Sequence, residues 1–230
     1  MVARAKHMTG LLTPIARRLK RSRRRRKVGR AYDMAIEIAK VLDVGDKVLD
    51  VGCGNGFIAH HLSNLLRKSV VGLDVSSATS AHIDYVAYDG KTFPILDCSF
   101  DAVLLCYVLH HAQNPLVVLA EVQRVLKKNG VVIVYEDNPG CWWDRAVCWL
   151  HNQQWQGRTG RCTFQLNQLW TREFRNAGFK VLRQRSLSRW RNFAHPVSRH
   201  FFVLEAELKG SDAIYTSRPE AWSNARTRAA

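Results

Sequence analysis

Three glycines at alternate positions, Gly52, Gly54 and Gly56, follow the apolar run Val48-Leu49-Asp50-Val51 and constrain this chain more than any other feature. The run reads as a buried strand and Ile58-Ala59-His60-His61-Leu62 as a helix, so the glycines form the turn between them. With no Cβ in the way, the backbone N–H groups of such a turn approach a ligand closely. The spacing is not that of a dinucleotide fingerprint. G-x-G-x-x-G would place its third glycine where Phe57 stands, and Gly56 comes one residue early. That weakens a nicotinamide oxidoreductase reading, and an ordinary tight strand-to-helix turn is the remaining alternative.

Further strand and helix patterns alternate along the chain. Met34, Ala35, Ile38, Val41 and Leu42 recur at helical steps within 31–44, and Gly45-Asp46 punctuates the chain before the first strand. A helix is expected over about 55–67. Residues 70–75 read as a second strand in which Asp74 lies 22 residues after Gly52. A doubly wound fold places there a carboxylate that accepts bonds from ribose hydroxyls, although an acid ending a strand also serves as a helix cap. The polar stretch 76–81 leaves room for only a reduced crossover helix. A third strand is expected over 84–88 before Asp89-Gly90, and a loop from Phe93 feeds a fourth strand ending near Cys106. Asn114-Pro115 opens a helix expected to reach Lys128 and to stop at Asn129-Gly130, before a fifth strand over 131–135. Beyond Pro139, a helix is expected over 142–155, a loop around Gly157 and Gly160, a helix over 167–177, and strands over 179–185 and 201–208. The alternation from Val48 to Asp137 predicts an α/β chain with a parallel sheet.

With Asp50 just before its glycines, VLDVGCGNG resembles motif I of class I S-adenosylmethionine-dependent methyltransferases. FPILDCSFDAVLLCYVLHH looks like the fourth-strand region of that family and EVQRVLKKNGVVIVYE like its fifth, a likeness over about ninety residues to the type 11 branch. Two departures stand out: the short helix after Asp74, and Lys128-Asn129-Gly130 where the family has Pro-Gly-Gly. The resemblance implies a Rossmann-like, doubly wound, mostly parallel sheet with an antiparallel last strand, and S-adenosyl-L-methionine as methyl donor. It also implies a donor-binding set. Gly52, Cys53, Gly54 and Gly56 would line the methionine moiety with Asp50 nearby, Asp74 would take the ribose with Val75 next to it in the donor-binding set, and Asp89 with Gly90 would border the adenine. Cys106 and Tyr107 would sit beneath the sulfonium, although Cys106 reads equally as a small core residue. A base is needed only when the acceptor arrives protonated, and His110, His111 and Glu136 are the candidates, with Asp137 beside them. A packed histidine and a carboxylate that supports its neighbours are the alternatives. No metal is expected, because no His, Cys and carboxylate cluster has metal-ligand spacing and a sulfonium donor needs no Lewis acid. The absence of an Asn/Asp-Pro-Pro-Tyr/Phe run after the fourth strand, and of a Pro-Cys pair, disfavours methylation of nucleic-acid bases by those two routes.

Charge divides the chain. Of 35 Lys and Arg, twelve fall in residues 1–30 with no acid among them, leaving 23 against 19 Asp and Glu over the other 200 residues. Residues 1–30 therefore read as a basic N-terminal arm, partly disordered or amphipathic, ahead of a methyltransferase domain over 31–208 and a disordered tail over 209–230. Residues 17–27 suit contact with an anionic membrane or with RNA, and composition separates neither from the other nor from a solvated arm. The six cysteines form no C-x-x-C pair and read as reduced thiols of a cytoplasmic protein. No apolar run approaches the ~18–20 residues of a transmembrane segment. The segment 140–170 carries Trp142, Trp143, Trp149, Trp155, Phe164 and Trp170, and is expected to cover a small apolar or aromatic acceptor. Plain packing of a helix on the sheet is the other reading of these aromatics, and Arg158, Arg161 and Arg172 beside them keep an RNA acceptor open. An RNA or protein methyltransferase that grips its substrate with the arm is thus the second functional class. A methyltransferase-fold module without catalysis is a third, disfavoured by the intact glycine turn and both acids.

Overall fold

The computed structural model describes residues 21–22, 25–42, 45–189 and 196–207, so most of the basic arm and the expected tail lie outside the described residues. The described residues form seven strands: β1 (Lys47–Val51), β2 (Ser69–Asp74), β3 (Asp84–Ala87), β4 (Phe100–Cys106), β5 (Leu126–Asp137), β6 (Phe179–Leu187) and β7 (Arg199–Ala206). They form one sheet in the order β3-β2-β1-β4-β5-β7-β6. The pairs among β1 to β5 are parallel, and β7 runs antiparallel to both β5 and β6. This is the expected doubly wound α/β sheet with its antiparallel strand.

The central strands are nearly continuous apolar runs because helices cover both faces. The helical stretch at 25–39 (α1) and the helix α2 (Phe57–Leu66) pack Met34, Ala35, Ile38, Ala59 and Leu62 against Val48, Leu104, Ile133 and Phe201. On the opposite face, α3 (Pro115–Val125) and α5 (Asn167–Asn176) bring Leu119, Val122, Trp170 and Phe174 onto Leu49, Val103, Val134 and Phe202. Asn114 caps α3 by accepting from the Leu116 N–H at 3.1 Å, with Pro115 in the first turn where no N–H is needed. A further helix, α4 (Trp142–Thr159), follows β5. The strand order reverses between β1 and β4, so the segments leaving their carboxyl ends, the glycine turn and residues 107–111, flank the crevice where such sheets bind ligands.

Some boundaries differ from expectation. α1 crosses residue 30, so helix continues into the end of the basic block. α3 stops at Val125 rather than Lys128, because Leu126 already pairs with Phe100 on β4. Two residues of β4 then span five of β5, and Asn129 takes a left-handed φ of 64° inside that irregularity rather than ending a helix. Gly157 lies within α4, which ends at Gly160 with φ 79°. No helix lies between Asp74 and β3.

Candidate functional site

The glycine turn is built as its spacing requires. Gly52, Gly54 and Gly56 have φ of 66°, 54° and 73°, a region that side chains rarely enter. Two of them are also packed: a Cβ on Gly52 would meet Val108 Cγ2 at 2.5 Å, and one on Gly56 would meet Thr79 Oγ1 at 2.6 Å. At Gly54 a Cβ would stand in open space, so this peptide faces the crevice. The Gly52 and Cys53 N–H groups donate to the Leu73 carbonyl, and the Gly54 N–H donates to Asp74 Oδ2 at 2.7 Å. Asp74 Oδ1 accepts from the Ser76 N–H at 2.9 Å. The acid expected at the ribose thus also pins the turn, and each oxygen keeps acceptor capacity.

Beneath the turn, Asp50 is 1% exposed and neither of its oxygens makes a hydrogen bond. Burial pushes its carboxyl up to about 7, with the Asp74 charge adding to the rise and the nearby Ala59 N–H, short of a full hydrogen bond, opposing it. Cys53 turns toward β2, where its Sγ would lie 2.7 Å from a Cβ on Gly72; burial and the Asp50 and Asp74 charges raise its thiol well above the usual range. Val75 is exposed and lies beside the Asp89-Gly90 bend, where a Cβ added to Gly90 would come within 3.4 Å of Val75 Cγ1. Asp89 itself accepts from the Lys91 and Thr92 N–H groups, which hold its carboxyl below the usual range. Cys106 lies in the core among Ile38, Leu104 and Tyr135, the packing alternative foreseen for it. Tyr107 has φ 63°, costly for a side chain of its size, and is held there by its N–H bond to the Tyr135 carbonyl at 2.8 Å.

The candidate bases separate into different roles. Glu136 is fully buried: Oε1 accepts from the Val108 and Leu109 N–H groups at 3.1 and 2.7 Å, and Oε2 pairs with His110 Nδ1 at 2.5 Å. A carboxylate so occupied holds the 3-10 turn Leu109–His111 in place, which fits the supporting role named as the alternative to a general base. Burial pulls the His110 pKa down, but the charge and hydrogen bond of Glu136 outweigh it and leave it raised. Burial and the neighbouring imidazoles of His110 and His151 push His111 down to about 3, and burial with His110 pushes His151 to about 4. His111 Nε2 lies 3.2 Å from His151 Nε2, and His111 Nδ1 lies 3.3 Å from Cys162 Sγ. Sequence spacing offered no metal-ligand cluster, yet α4 brings His151 to the histidine pair across forty residues. His151 and Cys162 were missed, and nothing in their local sequence marks them.

The aromatic segment also divides. Trp155 and Phe164 surround the imidazoles, with Phe164 stacked on His110 at 4.6 Å between centroids. Trp170 is 0% exposed in the sheet core, whereas Trp142 and Trp149 are 77% and 60% exposed on α4. The six aromatics therefore do not form one lining.

Residues 49–134 match the methyltransferase domain family. That match spans β1, the glycine turn, β4 and most of β5, the segments that build the crevice. Over those residues the chain is similar to methyltransferase domains, and solved S-adenosylmethionine-dependent methyltransferases share its fold. The match extends to curated proteins. The chain is 27% identical over 101 residues to a tRNA U34 carboxymethyltransferase of Campylobacter curvus, covering 39% of this chain and 34% of that protein. It is 34% identical over 99 residues to a demethylmenaquinone methyltransferase of Renibacterium salmoninarum, covering 40% and 41%. The chain thus spans only about a third to two fifths of the length of these relatives. The fold extends further: an S-adenosylmethionine-dependent methyltransferase of Methanosarcina mazei superposes with a TM-score of 0.59 at 18% identity, over 75% of this chain and 97% of that one. The methyltransferase domain implies S-adenosylmethionine as donor, and its residues fit that group. An open glycine peptide above a buried carboxylate without partners suits a ligand that carries positive charge at its ammonium and sulfonium centres.

Proposed function

We propose that the protein methylates a small, largely apolar or aromatic acceptor at the carboxyl ends of β1 and β4, using S-adenosylmethionine. The observation that carries the donor half is Asp50, buried and without hydrogen bonds beneath the open Gly54 peptide. Gly52, Gly54 and Gly56 would hold the methionine part and Asp74 the ribose, with Val75 and the Asp89-Gly90 bend against the adenine. The donor, when bound, supplies a methyl on a positively charged sulfur. The residues of this chain then have only to align the acceptor and exclude water.

For the acceptor, the support is the neutral, aromatic wall beside the crevice: His111, His151, Trp155 and Phe164 carry little charge and much apolar surface. The exposed Trp142, Trp149 and Leu150 on α4, together with basic residues 17–27, favour a cytoplasmic enzyme resting on an anionic membrane surface that holds a lipid-like acceptor. Among the described residues no helix is long and apolar enough to cross a membrane. A second reading, an RNA acceptor gripped by the same arm, is favoured by the relatives named for tRNA U34. Incubation of the protein with methyl-labelled donor and separated lipid, metabolite and RNA fractions tests both. Label in an organic-soluble product supports the first reading and label in RNA replaces it by the second. Donor binding without transfer to any fraction would count against catalysis.

A further inference from the structure

Three imidazoles at the end of β4 meet in a way that methyl transfer does not require. The candidate ligand nitrogens of His110, His111 and His151 all lie within 4.8 Å of one another. We infer that these three side chains form a binding site for one divalent transition ion of the zinc type, with a fourth position open.

The geometry of the pair comes first. Two nitrogens each bound at 2.0–2.1 Å to one tetrahedral zinc stand roughly 3.3 Å apart. His111 Nε2 and His151 Nε2 are 3.2 Å apart, so this pair already has the spacing of co-ligands. The orientation of each ring comes second. His110 gives Nδ1 to Glu136, which leaves Nε2 as the nitrogen available, and a carboxylate behind a histidine is the usual outer partner of a metal-bound imidazole. His111 presents Nδ1 to Cys162 Sγ, so the thiol contacts the nitrogen opposite the cluster and fixes the ring from outside the ligand set. The orphan comes third. His110 is 1% exposed and its Nε2 has no hydrogen-bond partner, which costs a buried polar atom about 1–3 kcal/mol. A direct hydrogen bond between His111 and His151 would occupy their two Nε2 atoms and leave that of His110 unsatisfied. One shared cation satisfies all three.

The ion class follows from the donors. Three neutral imidazoles are borderline ligands that suit zinc, cobalt or nickel and not calcium or magnesium, which take oxygen. Three protein ligands, with no fourth among the described residues, resemble the open catalytic arrangement more than a closed structural one. The open position would take water or a heteroatom of a bound molecule. The inference stands apart from the proposed methyl transfer, since uptake of the ion is read directly.

The test uses the full chain, prepared without a histidine tag, stripped with a chelator and titrated with Co²⁺, then with Zn²⁺ in competition. One equivalent of Co²⁺ giving the visible bands of a four-coordinate site, displaced by Zn²⁺, is expected. His151→Gln should weaken uptake by about 100-fold or more, beyond the usual loss from removing an outer partner, while His82→Gln on the exposed surface leaves it unchanged. Paramagnetically shifted proton signals from three imidazoles in the Co²⁺-loaded wild type provide a readout that needs no variant. Substoichiometric uptake, equal affinity in a folded His151→Gln protein, or shifted signals from fewer than three histidines would overturn the assignment.

Discussion

Asp50 and Asp74 are both near the glycine turn but differ in what they already bind. Asp74 holds the Gly54 and Ser76 N–H groups, whereas Asp50 holds none with either oxygen. Asp74→Ala is expected to weaken donor binding by about 1–3 kcal/mol, measured by calorimetry, because charged hydrogen bonds to ligand and turn are lost together. Asp50 contributes a pH dependence of the opposite sense to a salt-bridged acid. Its pKa rises from 3.8 unfolded to about 7 folded, so between those values the folded state binds the extra proton. Stability from this group therefore falls as pH rises through that window, by up to about 1.4 kcal/mol per pH unit. Urea unfolding at pH 5 and pH 8 should show that loss in the wild type and a flatter profile in Asp50→Asn. The glycines separate packing from ligand approach in the same manner. Gly54→Ala should cost the fold only the roughly 1–2 kcal/mol of a left-handed alanine while impairing donor binding. Gly52→Ala must also displace Val108 and should show a markedly lower melting temperature.

At the level of elements, α4 and α5 share an aromatic composition but put it to different uses. Trp170 of α5 stacks on Phe174 within the sheet core, so Trp170→Ala should cost about 3–5 kcal/mol in denaturant unfolding. Trp149 of α4 points outward, and Trp149→Ala should change stability by less than about 0.5 kcal/mol. If α4 serves the acceptor or a membrane surface, that variant should instead raise the acceptor KM or lower vesicle retention with donor affinity unchanged; no effect on any of these would remove Trp149 from the functional surface. The 3-10 turn after β4 is the other element that matters, because one buried carboxylate, Glu136, holds its first N–H, the N–H of Val108 just before it, and its first histidine.

Taken as a whole, the molecule separates a nearly neutral α/β body from a strongly basic start. Twelve basic residues in the first thirty carry most of the net charge of +16. Deleting residues 1–20, all ahead of α1, should leave donor affinity intact while reducing retention on anionic vesicles or RNA in a salt-dependent way, as expected of exposed charges. Loss of donor binding on that deletion would make the arm part of the fold.

By itself the sequence determined the β1–glycine turn–α2 unit, the α/β class, the acid that ends β2 and the closing antiparallel pair. Each depends on local periodicity or on a backbone conformation that only certain residues tolerate, and both are written in neighbouring positions. Only the tertiary structure decided the end of α3, where Leu126 leaves helix because pairing with Phe100 is available to it. It likewise decided that Glu136 anchors a turn, that Trp170 is core while Trp149 is surface, and that His151 joins His110 and His111. These facts depend on which strands become neighbours and on where the chain returns after β5. Contacts across 26 to 40 residues leave no period or spacing in the sequence to read.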